Sequence, residues 1–264
     1  DLPITPRLWP RDLHASLIDK LTEVGARVII FDLIFDTPSA IPENDKKLAH
    51  AIKAAGNVVL IERLVYRDTG LFQDDEQTQN RLFEEGPAPL LPIIADATEA
   101  RAPFPLPKAE RVNDYWTFKA SAGDIPTAPV IALQIFTLPI FDDFVRLLHA
   151  ADPTITEQLS SHSKDSDIED LVLTLRHIFI NQPQLTQKIQ TELNRDSNMS
   201  LTEKKMVISL LNLYSGHEKS YLNFYGPPRS ITTVPYYQVL QLHEITIDKN
   251  LPDGIDFKNK VVFV

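Results

Sequence analysis

Cysteine is absent from the 264-residue sequence, and glycine is scarce at 8 residues. The absence of cysteine excludes thiolate catalysis, disulfide bonds and zinc sites built on cysteine. The glycine-rich phosphate-binding motifs are missing as well, and so are His-Glu-x-x-His and Gly-x-Ser-x-Gly. The 7 histidines show no metal-ligand spacing. We therefore expect no catalytic residue, no cofactor and no metal site.

Positive charge is in deficit, since 26 Lys and Arg residues face 36 Asp and Glu residues and the net charge is -10. Binding of nucleic acid or of anionic lipid depends on a basic surface, so neither is an expected partner. The hydrophobic fraction of 43% and the charged fraction of 23% are those of a folded globular protein. This composition excludes a mainly disordered chain.

Long hydrophobic runs are also missing. The longest uncharged stretch, residues 125–141, has 17 residues and contains three prolines, whereas a helix needs about 20 apolar residues to span a bilayer. The chain begins at Asp1 rather than at methionine and ends on an apolar, β-branched run. We expect a soluble piece of a longer protein; no signal peptide is visible, and an excised piece would have lost one.

The first part of the chain repeats a helix, a glycine and a buried strand. Apolar residues at helical spacing predict helices over residues 12–24 and 42–55, which Gly25 and Gly56 end. Each glycine is followed by a nearly continuous apolar run, which is typical of a strand buried on both faces of a parallel sheet. The pattern predicts an α/β fold whose mainly parallel sheet has helices on both faces. Strands of one sheet are expected near residues 26–32, 57–62, 221–225 and 260–264.

A helical block is predicted between these strands. From residue 154 to residue 225, proline occurs only at Pro183 and glycine only at Gly216. Two capping boxes, at residues 166–169 and 200–203, precede apolar positions at helical spacing. We therefore predict one domain over residues 1–264 with a helical insertion at about 142–218. Shorter patterns predict a strand at 112–118, helices at 127–138 and 234–242, and a short helix followed by an extended segment within 87–107.

Polar residues gather where the predicted strands end, which is where open α/β sheets place their ligands. The candidate ligand-binding residues are Asp32, Asp36, Glu62, Arg63, Asn223 and Tyr225. The carboxylates could bind a cation or an amine, and the guanidinium could bind an anion through two hydrogen bonds. Such a mixed crevice suits a small polar or zwitterionic ligand.

A structural interpretation of the same residues stays open. Asp32 and Asp36 could cap a loop and begin a turn, and Asn223 could brace the turn that follows it. Arg63 could form a plain buried ion pair with Asp32 or Asp36. His14 is the histidine expected nearest to the sheet, and we interpret it as a surface residue with satisfied hydrogen bonds.

Several stretches together resemble the CHASE domain of type two, a sensory extracellular domain associated with cyclases and histidine kinases. The resemblance covers both ends of the chain in order and leaves the helical block unmatched. The stretches that carry it are Trp9-Pro10-Arg11-Asp12-Leu13-His14, Gly25-Ala26-Arg27-Val28-Ile29-Ile30-Phe31-Asp32-Leu33-Ile34-Phe35, Asp45 with Leu48-Ala49, Gly56-Asn57-Val58-Val59-Leu60, Asn223-Phe224-Tyr225-Gly226-Pro227-Pro228, Thr233-Val234-Pro235-Tyr236 and Lys260-Val261-Val262-Phe263-Val264.

The resemblance implies an extracytoplasmic sensor module of a bacterial membrane receptor, in the inner or plasma membrane. In such receptors the module is flanked by transmembrane helices, and the family implies no established ligand, so no binding residue is carried over. We expect an unknown small-molecule or ion ligand, and a second copy in a homodimer is a further candidate partner. The output would be a nucleotide cyclase, a histidine kinase or a protein kinase. Two alternatives stay open: a structural or partner-binding and dimerisation domain, and a metal-dependent enzyme that uses Asp32 and Asp36.

Overall fold

Helices and strands alternate through the first part of the chain. The computed structural model describes residues 8–75, 78–155, 159, 167–223, 226–227, 230–241 and 256–264, and only the backbone of residues 71–75 and 78–82. Up to residue 103 the elements are α1 (Arg11–Glu23), β1 (Val28–Phe31), α2 (Pro42–Ala55), β2 (Val58–Glu62), β3 (Leu64–Asp75), β4 (Thr78–Pro87), α3 (Pro92–Ala95) and β5 (Ala100–Pro103).

The second part of the chain is mainly helical and ends in a strand. Its elements are β6 (Asp114–Trp116), β7 (Phe118–Lys119), β8 (Ile125–Pro126), α4 (Ala128–Thr137), α5 (Phe141–Ala151), α6 (Ile168–Asn181), α7 (Leu185–Arg195), α8 (Leu201–Ser215), β9 (Lys219–Tyr221), α9 (Tyr236–Leu240) and β10 (Val261–Phe263).

The central sheet has four parallel strands in the order β10-β1-β2-β5. Ile29 is opposite Val58, and Val28 is opposite Val261. Every residue of β1 and β2 is buried, as expected for β-branched runs in a parallel sheet covered on both faces. The predicted parallel sheet is confirmed, including the strands expected near residues 26–32, 57–62 and 260–264.

Alternate residues of β1 and β2 point to two separate cores, because successive strand side chains face opposite ways. Ile29 and Leu60 belong to one core together with buried residues of α1, α2 and α9. Ile30 and Val59 belong to the other, together with buried residues of α4, α5, α6, α7 and α8. Helices therefore cover both faces of the sheet, as the sequence predicts.

The prediction of a sheet strand at residues 221–225 is wrong. The strand found there, β9, is only three residues long and pairs antiparallel with β6 in a separate two-stranded sheet. Its residues are partly or fully exposed, and Tyr221 is 88% exposed, so it lacks the burial of a central parallel strand. Residues 224 and 225 lie outside the described residues.

The fourth strand of the sheet is β5, within the segment predicted as a short helix and an extended stretch. It pairs with β2 through Val59 opposite Ala100 and Ile61 opposite Ala102. Two alanines, an arginine and a proline carry no strand propensity, so pairing and packing, rather than the local sequence, make this a strand. Unlike β5, which lies in a stretch predicted as extended, the long hairpin β3–β4 is absent from the sequence prediction.

The predicted block is helical, with α5 to α8 inside it. The capping box at α8 is present: Ser200 N donates to Glu203 Oε2 at 2.7 Å, and Glu203 N donates to Ser200 Oγ at 3.3 Å. At α6, Asp167 Oδ1 caps the helix by accepting from Glu169 N at 3.3 Å, while residue 166 lies outside the described residues. The block shares one core with the sheet, and its status as an insertion stays a prediction.

One helical stretch of the described part of the chain, Ala128–Ala151, is apolar and long enough, by length and composition alone, to cross a membrane. Half of its most apolar window is buried inside the protein, and α4 packs on β1, β2 and β5. A core helix of a soluble protein has the same composition, so this stretch is only a weak indication of a membrane span.

Candidate ligand-binding site

A cavity of about 490 Å³ opens beside the carboxyl end of β2. Four elements meet there: the end of β2, the base of the β3–β4 hairpin, β5 and the first turn of α6. The volume is within the range of about 300–1,000 Å³ that is typical of small-molecule sites. The lining residues are Glu62, Arg67, Pro87, Ala88, Pro89, Arg101 and Glu169.

Glu62, the last residue of β2, is a buried carboxyl group in this cavity, with 7% of the residue exposed. Its Oε1 lies 3.8 Å from Arg101 Nε, which is an ion-pair distance but too long for a hydrogen bond. Burial raises the pKa of Glu62 to about 7, which the Arg101 charge opposes and the charges of Glu169 and Asp167 reinforce. Near neutral pH this carboxyl therefore exchanges between its neutral and charged forms.

Glu169 lies in the first turn of α6, next to the capping residue Asp167. A helix N-terminus favours a carboxylate. Burial nevertheless raises the pKa of Glu169; the Asp167 charge adds to this effect and the Arg101 charge opposes it. The loss of solvation thus outweighs the helix N-terminus and the Arg101 charge, which both favour the ionised form of Glu169. The cavity therefore holds two carboxyl groups whose pKa values are raised.

Two guanidinium groups line the same cavity. Arg101 projects from β5 with 42% of its side chain exposed, and Nε faces Glu62. Arg67, on β3, donates from Nη2 to the carbonyl oxygen of Pro87 on the paired strand. Ala88 N donates to Arg63 O at 2.7 Å. This hydrogen bond joins the residue that follows β2 to residues 87–89, which form the apolar wall of the cavity.

Asp36 and Arg63 form an ion pair outside the cavity lining. Arg63 Nη2 lies 3.4 Å from Asp36 Oδ2, and 54% of the Arg63 side chain is exposed against 16% for Asp36. Asp36 Oδ1 is buried and accepts no hydrogen bond within the described residues. The predicted ion pair of Arg63 with an aspartate is present, but the expectation that it is buried is wrong, because the Arg63 side chain is largely exposed just after the end of β2.

The remaining candidates are dispersed. Asp32 follows β1 and is exposed; its backbone N donates to Val264 O at 2.9 Å, and partial burial raises its pKa. Asn223 is exposed and follows β9, so it does not end a strand of the parallel sheet. Tyr225 lies outside the described residues. Among the five candidates that the structure describes, Glu62 is the one that lines the cavity.

Sequence reasoning missed three charged residues of the cavity: Arg67, Arg101 and Glu169. Arg67 lies on a hairpin that the sequence patterns do not predict, and Arg101 lies in a stretch predicted as extended but not assigned to the central sheet. Glu169 lies in the block that the sequence separates from the sheet. The pattern at residues 166–169 did predict a helix start near Glu169, although the capping residue is Asp167 and not Ser166, and this pattern was the available sign of its position.

A second polar cluster joins α1 to α2 and α9. Arg11 Nη1 lies 2.6 Å from Asp45 Oδ1, and both side chains are at most 7% exposed. His14, expected at the surface, is completely buried, and its Nδ1 lies 2.9 Å from Tyr236 Oη. Helix α1 turns this face toward Phe31 and Phe35, whose rings pack against the imidazole in steeply inclined, T-shaped arrangements. The cluster has the geometry of a structural link between three helices.

The part of the chain that the structure describes contains no group of three or more His, Asp or Glu side chains that could bind a metal ion. Within the described residues, Asp32 and Asp36 therefore do not belong to such a group.

Comparison with protein families places this α/β domain in the class of extracellular sensory domains found in cyclases and histidine kinases. The family is the CHASE2 domain: its model matches residues 4–264, and the chain belongs to this family. The resemblance carried by the sequence motifs is thereby confirmed. No curated protein and no solved structure matches the chain.

Proposed function

We propose that the chain is the extracytoplasmic ligand-sensing domain of a bacterial membrane receptor and that its ligand binds in the cavity beside Glu62. The domain has no cyclase, hydrolase or kinase activity of its own, and a nucleotide cyclase, histidine kinase or protein kinase supplies the output. Membership of the CHASE2 family supports the sensory role. The observation that carries the site is a buried carboxyl group whose charge is poorly compensated.

The physical argument concerns the charge of Glu62. A buried carboxylate is costly unless a close counter-charge or several hydrogen bonds compensate it. Arg101 is 3.8 Å away and remains 42% exposed, so much of its charge is directed to solvent. Strongly perturbed carboxyl groups in clefts mark functional sites more often than other positions. A ligand that brings a positive charge close to Glu62 compensates the carboxylate more fully than Arg101 does at 3.8 Å.

The position of the cavity suits signal transmission. Its walls come from the central sheet, the β3–β4 hairpin and α6. A ligand that touches all three changes their relative stability, because it binds only the arrangement in which they surround it. The hairpin base and the α6 terminus are therefore the parts expected to respond first.

Thermal unfolding with a library of small polar metabolites tests this proposal. A ligand at about one hundred times its dissociation constant adds ~2.7 kcal/mol to the free energy of unfolding, which raises the melting temperature measurably. We expect a shift in the wild type that Glu62→Gln reduces and that Glu43→Gln, at a 66% exposed side chain, leaves unchanged. Equal shifts in all three proteins would place the ligand elsewhere.

A structural or dimerisation role is the second candidate, and one observation favours it. An apolar groove of about 380 Å³ lies beside the edge strand β10, where Val261 is 47% and Phe263 is 55% exposed. Sedimentation of the wild type and of Phe263→Ser tests this role. A dimer that dissociates in the variant, together with no ligand from the library, would favour dimerisation over ligand sensing.

A further inference from the structure

We propose that the cavity binds a zwitterion that carries a primary ammonium group and a carboxylate, as free amino acids and short peptides do. This inference rests on the proposed function and adds the chemical class of the ligand. It assigns the ammonium group to Glu62 and Glu169 and the carboxylate to Arg101 and Arg67.

The carboxyl side of the cavity carries the first part of the argument. Glu62 is more than nine-tenths buried, and its charged neighbour Arg101 is beyond hydrogen-bond distance. Glu169 lines the same cavity and is also poorly solvated. A primary ammonium group has three donors and a compact charge, so it can serve both carboxylates at once. The same ammonium group favours the charged forms that burial opposes.

The guanidinium side carries the second part. Within the described residues, Nη1 and Nη2 of Arg101 donate no hydrogen bond to the protein, and its ion pair with Glu62 uses Nε. The paired Nη donors of a guanidinium match the two oxygens of a carboxylate. Arg67 lies on the hairpin wall of the same cavity and adds a second positive charge.

Charge balance selects the zwitterion over simpler ligands. A monovalent anion would meet Arg101 and Arg67 but would also face Glu62 and Glu169. A simple amine would neutralise the carboxyl groups and leave the guanidinium groups facing a like charge. A cavity of about 490 Å³ is in the lower half of the usual range, which suits a free amino acid or a dipeptide.

Calorimetry and thermal unfolding of the full chain with matched probes test the assignment. The probes are the proteinogenic amino acids, β-alanine, γ-aminobutyrate and glycylglycine, each with the amine and the acid that lack one of the two charges. We expect at least one zwitterion to bind and each of its single-charge analogues to bind roughly tenfold or more weakly, since each leaves a charged group of the site without a partner. The comparison of amino acids with glycylglycine separates the two sources of this chemistry.

Variants locate the binding. Glu62→Gln and Arg101→Gln should each weaken zwitterion binding roughly tenfold or more, whereas Glu43→Gln should leave it unchanged. Arg101 is partly exposed, so its variant remains a folded test even if Glu62→Gln does not fold. Equal binding by all variants would overturn the assignment.

The two proposals fail in different ways. If a neutral metabolite, an anion or a cation binds in a Glu62-dependent manner and no zwitterion does, the sensing function stands and the ligand class is wrong. If no small molecule binds at all, both proposals fail.

Discussion

Replacing Glu62 by glutamine should stabilise the protein at alkaline pH and have little effect at acidic pH. The reason is the buried position of this carboxyl group, which raises its pKa from 4.5 to about 7. In the unfolded chain the group ionises near its ordinary value. At pH values between these two pKa values, the folded state binds more protons than the unfolded state. The free energy of unfolding therefore falls as pH rises through this range. The loss is complete above about pH 7.

The size of the effect follows from the two pKa values. At about 1.4 kcal/mol per pH unit, the difference between 4.5 and about 7 corresponds to ~3 kcal/mol of stability lost above neutral pH. Glutamine is neutral at every pH and has nearly the same shape. The variant should therefore gain about 1–3 kcal/mol over the wild type at pH 8 and about 0 at pH 4.5.

Urea unfolding followed by tryptophan fluorescence at pH 4.5 and pH 8 measures this difference. Glu43→Gln is the matched control, because its side chain is 66% exposed and a substitution there should change stability by no more than about 0.5 kcal/mol at either pH. The reasoning is refuted if Glu62→Gln changes stability equally at both pH values, or if it destabilises the protein at pH 8. Either result would mean that Arg101 compensates the buried charge fully.

Two further substitutions test the structural framework by equilibrium unfolding. Arg11→Met leaves Asp45 charged, buried and without its ion-pair partner, so it should lower the free energy of unfolding by ~3–5 kcal/mol. The control Lys46→Met, at an ion pair whose lysine is 63% exposed, should lower it by at most about 1 kcal/mol. Similar losses in the two variants would contradict the burial of the Arg11 pair. Gly56→Ala should lower the free energy of unfolding by about 1–2 kcal/mol, because Gly56 ends α2 in the left-handed conformation at φ 64°. The control Gly86→Ala, where a Cβ meets nothing within 4 Å, should be neutral or slightly stabilising. A neutral Gly56→Ala would refute the left-handed cap.

The sequence by itself determined the first two helix–strand units. β1 and β2 are nearly continuous runs of β-branched and large apolar residues, and burial on both faces of a parallel sheet is the arrangement that suits such runs in water. The glycines that end the preceding helices have positive φ, which explains why each helix stops where it does. The capping box of α8 is equally local, because its two hydrogen bonds join residues three positions apart.

The location of the candidate cavity was partly determined by the sequence. The rule that ligands bind at the carboxyl ends of parallel strands selected Glu62, which does line the cavity. The same rule selected Asn223 on the assumption that its strand joins the sheet, and that assumption is wrong. Strand propensity describes how well a residue fits a pleated surface and does not specify the partner strand.

Only the tertiary structure decided which residues share the cavity with Glu62. Arg101 reaches the cavity because β5, which is weak in strand propensity, pairs with β2. Glu169 reaches it because α6 packs its apolar face against the core that the sheet shares. The raised pKa of Glu62 is also a tertiary property, since it depends on the burial that these elements create. Local sequence patterns encode backbone preferences over a few residues, whereas cavities, burial and charge environments arise from contacts between distant segments.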